Sequence, residues 1–98
     1  MKNLFIVFRT HGAAWTHGRS LEEQADWSGH AAFMDDLERE GFVVLGGPLE
    51  GSPDALLVLR AGSEDEIHSR LAADPWSGSD HLRTTRVNRW TLRLGSLP

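Results

Sequence analysis

The chain has 98 residues, 40% of them hydrophobic and 24% charged, with a formal net charge of −4 and no cysteine. A chain of that size buries about two thirds of its unfolded surface in one modest core, so a single domain over 1–98 is expected. The absence of thiols excludes disulfides, thiolate metal sites and a cysteine nucleophile, and the acidic balance disfavours nucleic acid as a partner.

Near the start, the apolar stretch LFIVF stops at Arg9 after five residues. This is too short for a signal-peptide core or a membrane span, so a cytoplasmic protein with no membrane partner is expected. Residues 3–9 read as a strand buried on both sides, with Leu4, Ile6 and Phe8 on one face and Phe5 and Val7 on the other. Residues 10–25 contain Thr-His-Gly twice and show no sustained period, which predicts a long loop of the kind that often carries function.

From Asp26 to Glu40, Trp27, His30, Ala31, Phe33, Met34 and Leu37 fall near one helix face. Asp26 is expected to cap the start and Gly41 the end. A second strand is predicted over 42–46, stopped by Gly46, Gly47 and Pro48, and a third over 55–61. Ser63 and Glu66 have capping-box spacing, which starts a second helix over 64–73. Pro75 disfavours helical geometry at Asp74, so the helix stops there. Residues 82–94 form the last predicted strand, with Arg83, Thr85, Arg89, Thr91 and Arg93 on one face. The order β-α-β-β-α-β is that of a ferredoxin-like α+β fold, a four-stranded antiparallel sheet with two helices on one face. Two short helices cover one sheet face only. Strands apolar on both faces therefore predict a homodimer packed sheet to sheet, the other reading being a partly wet face covered by the 10–25 loop.

Asp74 raises a question, because a carboxylate at a helix C-terminus is destabilised unless it gains a partner. His30 is the complementary oddity, an imidazole in the first turn of a helix beside Phe33, Met34 and Leu37. A His-Asp pair would supply the carboxylate with a hydrogen bond and, when the imidazole is protonated, a charge; such a pair also does acid-base chemistry near neutral pH. The residues equally allow a core histidine bonded to a backbone carbonyl, and an Asp-Pro turn whose side chain caps the following backbone. Trp76 and Trp90, with Trp15, could line an apolar cleft or plug the sheet edge. His11, His17 and His81 have no spacing that fixes a metal geometry, and no metal is expected. Arg83, Arg86, Arg89 and Arg93 read as a solvated basic face. At Gly46 and Gly47 a turn and a close backbone approach to a ligand are both open.

Several of these pieces occur together: a helix-one histidine followed by AAFMDDLEREGFVVLGGPL, a capped helix leading into LAADPW, and a closing strand with VNRW. In this combination the chain resembles the YCII-related (YciI-like) family, small ferredoxin-like proteins that dimerise into an α+β barrel. The resemblance implies that His30 and Asp74 match the pair regarded as the family's active site, that Gly47 and Pro48 match its Gly-Pro step, and that Trp76 is the aromatic of its Asp-Pro-aromatic motif. One relative is implicated in removing chloride from a chlorinated hydroxyquinol. The loop over 10–25 departs from the short-loop members. The expectation is an acid-base enzyme of lyase, dehydrochlorinase or isomerase type acting on a small cyclic or enolic molecule. His30 would move a proton, Asp74 would orient it, and Gly47, Pro48, Trp76 and Trp90 would shape the pocket. No cofactor is implied, because proton abstraction and loss of a leaving group need none. The alternative is a module that holds a small molecule without transforming it.

Overall fold

The computed structural model describes residues 2–98. The elements run β1 (Asn3–His11), α1 (Trp27–Arg39), β2 (Val43–Pro48), β3 (Asp54–Ala61), α2 (Glu64–Leu71), α3 (Pro75–Gly78) and β4 (Leu82–Trp90), with a short 3₁₀ turn at Leu21–Glu23. The four strands form one antiparallel sheet in the order β2-β3-β1-β4. This is the ferredoxin-like order, and β1 lies inside it between β3 and β4. Among the described residues no helix is long and apolar enough to cross a membrane.

The alternation of β1 sorts its side chains by face. Phe5, Val7 and Arg9 are buried beneath the helices, where Phe5 and Val7 join Leu37, Phe42, Leu57, Leu59, Ile67 and Leu71 in the core. The opposite face carries Leu4, Ile6 and Phe8, flanked through the ladder by Leu56 and Val58 of β3 and by Arg86, Asn88 and Trp90 of β4. Leu45 at the edge of this apolar face is 46% exposed.

Several details differ from the sequence expectation, beginning with β1, which runs on past Arg9 to His11 instead of giving way to a loop at residue 10. Helix α1 begins after Asp26, which adopts a left-handed φ of 57° and makes no side-chain cap bond. Its other end closes as expected on Gly41: with φ at 80°, the Gly41 amide donates to the Glu38 carbonyl and the Phe42 amide to that of Leu37. Strand β2 continues through Gly46 and Gly47 to Pro48. It is an edge strand, where the amide that proline lacks has no neighbour to serve, and a bulge between Val43 and Leu45 adjusts its register. Helix α2 stops at Leu71, and Pro75 opens a separate one-turn helix. Strand β4 ends at Trp90, and a bulge opposite Phe8 and Arg9 breaks its alternation. Arg83 and Arg86 consequently share the open face while Arg89 pairs with Phe5 on the other side, so the expected single polar stripe does not form.

The loop after β1 is tied down by hydrogen bonds. Asp80 accepts through its main-chain carbonyl from the Ala14 amide at 3.0 Å and through its carboxylate from the Ala13 amide at 3.2 Å. The buried Gln24 side chain clamps Thr16, accepting from its amide at 2.8 Å and donating to its carbonyl at 2.9 Å. Gly12 lies so close to Asp80 that a Cβ there would stand 2.2 Å from the Asp80 carbonyl oxygen. Gly12→Ala is expected to destabilise the fold by about 1–3 kcal/mol, the usual cost of overpacking. Gly47→Ala, whose Cβ would meet nothing within 4 Å, is expected to be neutral; thermal unfolding of the two variants checks the contrast.

Candidate active site

The site forms where the polar end of β1 meets the start of α1 and the α2–α3 junction. Asp74 is the N-cap of α3, with Pro75 at the first helical position and the Trp76 amide donating to Asp74 Oδ1 at 2.9 Å. Asp-Pro is well suited to this start, because proline's missing amide is unsatisfied there in any case. The carboxylate therefore sits at the favourable end of a new helix, and the electrostatic penalty expected from its place after α2 does not arise.

Two side chains join the Trp76 amide on that carboxylate. His30 Nδ1 lies 3.0 Å from Oδ1 and 2.9 Å from Oδ2, and Arg9 Nη1 donates to Oδ2 at 2.8 Å. Arg9 and Asp74 are 2% and 1% exposed, so this ion pair is fully buried. Arg9 Nη2 also donates to Ser77 Oγ at 2.6 Å, and Ser77 donates onward to the Leu71 carbonyl at 2.7 Å. Burial alone pushes the Asp74 carboxyl up; the hydrogen bonds from His30, Arg9 and the Trp76 amide outweigh it and hold the group below its ordinary value of 3.8. Since an ionised carboxylate only accepts, Nδ1 of a neutral His30 must carry the proton, which leaves the lone pair on Nε2.

Aromatic rings fix the imidazole. His30 stacks on the fully buried Trp76 with ring centroids 4.0 Å apart and planes 5° from parallel. The Trp76 indole N–H donates to the Ala25 carbonyl at 2.7 Å. Trp15, brought over by the tethered loop, meets Trp76 edge-on at 5.6 Å and stacks on His11 at 3.6 Å.

A cavity of about 510 Å³ opens between α1, the sheet and this loop, within the size range of small-molecule sites. Arg9, His11, Trp15, Leu21 and His30 line it, and Val43, Leu57 and Leu82 supply apolar wall. Gly47 and Pro48 also line it, at the β2 edge. Trp76 backs His30 without lining the cavity itself. Trp90 is not brought here: it pairs with Leu4, while His11 at the cavity end of β1 pairs with Leu82. Of the other histidines, His81 is buried against Trp76 with Nδ1 2.7 Å from Ser79 Oγ. Among the described residues no three His, Asp or Glu side chains gather as metal ligands.

Arg9 is the participant that sequence reasoning missed. Its signal was present, because Arg9 continues the alternation of Phe5 and Val7 onto the face under the helices, where an unpaired charge is prohibitively costly. The buried cation therefore required a buried anion.

No family model matches the chain, and no curated protein matches it. Among solved structures, the chain is similar to the 5-chloro-2-hydroxyhydroquinone dehydrochlorinase TftG of Burkholderia phenoliruptrix AC1100, in complex with 2,5-dihydroxybenzoquinone. The two share 28% sequence identity with a TM-score of 0.67, over 90% of this chain and 93% of that one. This likeness supports a YciI-like fold.

Removing either member of a buried ion pair strands the other, at a cost of about 3–5 kcal/mol. Arg9→Met and Asp74→Asn are each expected to lose stability of that order in denaturant titration. Because the folded value of Asp74 lies below the unfolded one, its contribution is complete above the ordinary carboxylate range and disappears as pH falls through the folded value. Acid unfolding of the native protein is thus expected to set in below about pH 4, with a shallower pH dependence in Asp74→Asn.

Proposed function

We propose that this chain is an acid-base enzyme acting on a small, flat hydroxylated or enolic ring, with His30 as the proton-transfer group and Asp74 as its orienting partner. One observation carries the reading: His30 Nδ1 is held by a buried carboxylate, while the residue lines a cavity large enough for a single ring. Arg9 neutralises Asp74, so the imidazole need not be charged for the carboxylate to be paired. Apolar walls and the Trp15 ring suit a flat substrate. The likeness to a dehydrochlorinase in complex with 2,5-dihydroxybenzoquinone points to the same substrate class.

Proton transfers alone suffice for such chemistry. When a chlorinated hydroxyhydroquinone loses HCl, two hydroxyl protons leave the ring and one proton arrives at the carbon bearing chlorine. Chloride departs with the C–Cl electron pair, and the product is a hydroxyquinone. No external oxidant enters. With 5-chloro-2-hydroxyhydroquinone as probe, the protein is expected to release chloride, and His30→Ala to lose about 10²–10⁴-fold in rate, the usual contribution of a positioned acid-base group. A probe that binds and is recovered unchanged would instead mark a module that holds the ring without transforming it.

The same reading includes a homodimer through the open sheet face, where Ile6, Phe8, Leu45 and Leu56 would otherwise leave a contiguous apolar surface. Phe8→Lys is expected to shift the sedimentation coefficient from that of a dimer to that of a monomer.

A further inference from the structure

The His30–Asp74 pair leaves one imidazole of the cavity unused. His11 is the last residue of β1 and shares the inward face with Arg9, two positions before it. It lines the same cavity as His30, from the sheet where His30 enters from the helix. Its ring is clamped flat against Trp15, and neither ring nitrogen has a hydrogen-bond partner among the described residues. A stacking platform alone does not require nitrogens; phenylalanine would stack as well. An oriented imidazole with both nitrogens free in a ring-sized cavity is available for proton transfer.

We propose that His11 is a second proton-transfer residue of this site, taking the proton that His30 does not handle. The inference rests on the acid-base reading above and divides its two chemical steps. His30 Nε2 takes the proton of one ring hydroxyl and returns it to the carbon bearing chlorine, giving the keto tautomer. His11 takes the second hydroxyl proton as the O–H pair becomes a carbonyl and chloride leaves with the C–Cl pair, and afterwards releases that proton to water. Hydrogen, chlorine and electrons balance with HCl as the only loss.

The surroundings suit a base that begins neutral. Burial lowers the His11 pKa, the nearby His17 lowers it further, and Asp54 of β3 opposes them. Arg9, on the same strand face, has its charge taken up by Asp74. His11 thus meets the substrate with a lone pair available at neutral pH.

The two steps can be read separately. Ring-hydrogen exchange of unchlorinated hydroxyhydroquinone in D₂O reports the tautomerisation alone, and chloride release from 5-chloro-2-hydroxyhydroquinone reports the full reaction. In His11→Phe, which keeps the flat stack on Trp15, exchange is expected to stay within about threefold of the native rate while chloride release falls about 10²-fold or more. His11→Gln is expected to do the same, and His30→Ala to lose both. Native chloride release in both His11 variants, or an equal loss of exchange and release, overturns the role of His11 and leaves the acid-base reading standing. A native protein that supports neither exchange nor release, or a fully active His30→Ala, overturns both.

Discussion

The Asp74 carboxylate is the point at which three separate parts of the chain, β1, α1 and the start of α3, are tied together. It accepts from Arg9 of the sheet, from His30 of α1 and from the amide of Trp76 in α3, and Arg9 in turn reaches Ser77. The bond to Arg9 spans 65 residues and the bond to His30 spans 44. A carboxylate and a guanidinium taken out of water lose several kcal/mol of hydration each, recovered only if the geometry is good and the remaining donors are satisfied. The surrounding elements must therefore keep one arrangement, and a histidine held in that arrangement has a fixed direction and a fixed tautomer.

The face of β1 beneath the helices shows how one strand serves both stability and the site. Phe5 and Val7 lie in the apolar core; two and four residues further on, the same face presents Arg9 and His11. The core under α1 and α2 is closed by Leu37, Ile67 and Leu71, whereas beyond it the sheet is covered by a loop, and the space left between them is the cavity. At this end Arg9 is paired through both Nη atoms, its buried Nε having no partner among the described residues, and His11 and His30 border that space.

The loop between β1 and α1, residues 12–26, owes its shape to polar contacts. Gln24 imitates a strand neighbour for Thr16, and Asp80 receives the amides of Ala13 and Ala14. Asp80 itself is pushed down to about 2, foremost by its hydrogen bonds from Arg83, so it remains an anion under ordinary conditions. Together these contacts deliver Trp15 against Trp76 and His11 and make the loop part of the cavity wall.

The strands, both main helices and their ferredoxin-like order were legible in the sequence because they follow from periodicity, glycine and proline placement, and capping. The stripe of Trp27, His30, Phe33, Met34 and Leu37 is a local property of 3.6-residue spacing, and Gly41 ends α1 in the bond pattern that a left-handed glycine permits. Spacing could also mark His30 and Asp74 as anomalies, each in a place that demanded a partner. It offered each as the other's partner, but not the cation that neutralises Asp74: charge compensation is a matter of distance in space, and only the sheet places Arg9 against Asp74. The pairing that carries β2 through two glycines and the bulge that splits the polar stripe of β4 are likewise set by the neighbouring strand's register. The anchoring of the loop between β1 and α1 depends on Gln24 and Asp80, whose bonds obey no period. The sequence alone determined which segments are helix and strand and which residues were out of place. Tertiary structure decided which of those met, because buried charges and hydrogen bonds are satisfied between segments that local spacing does not relate.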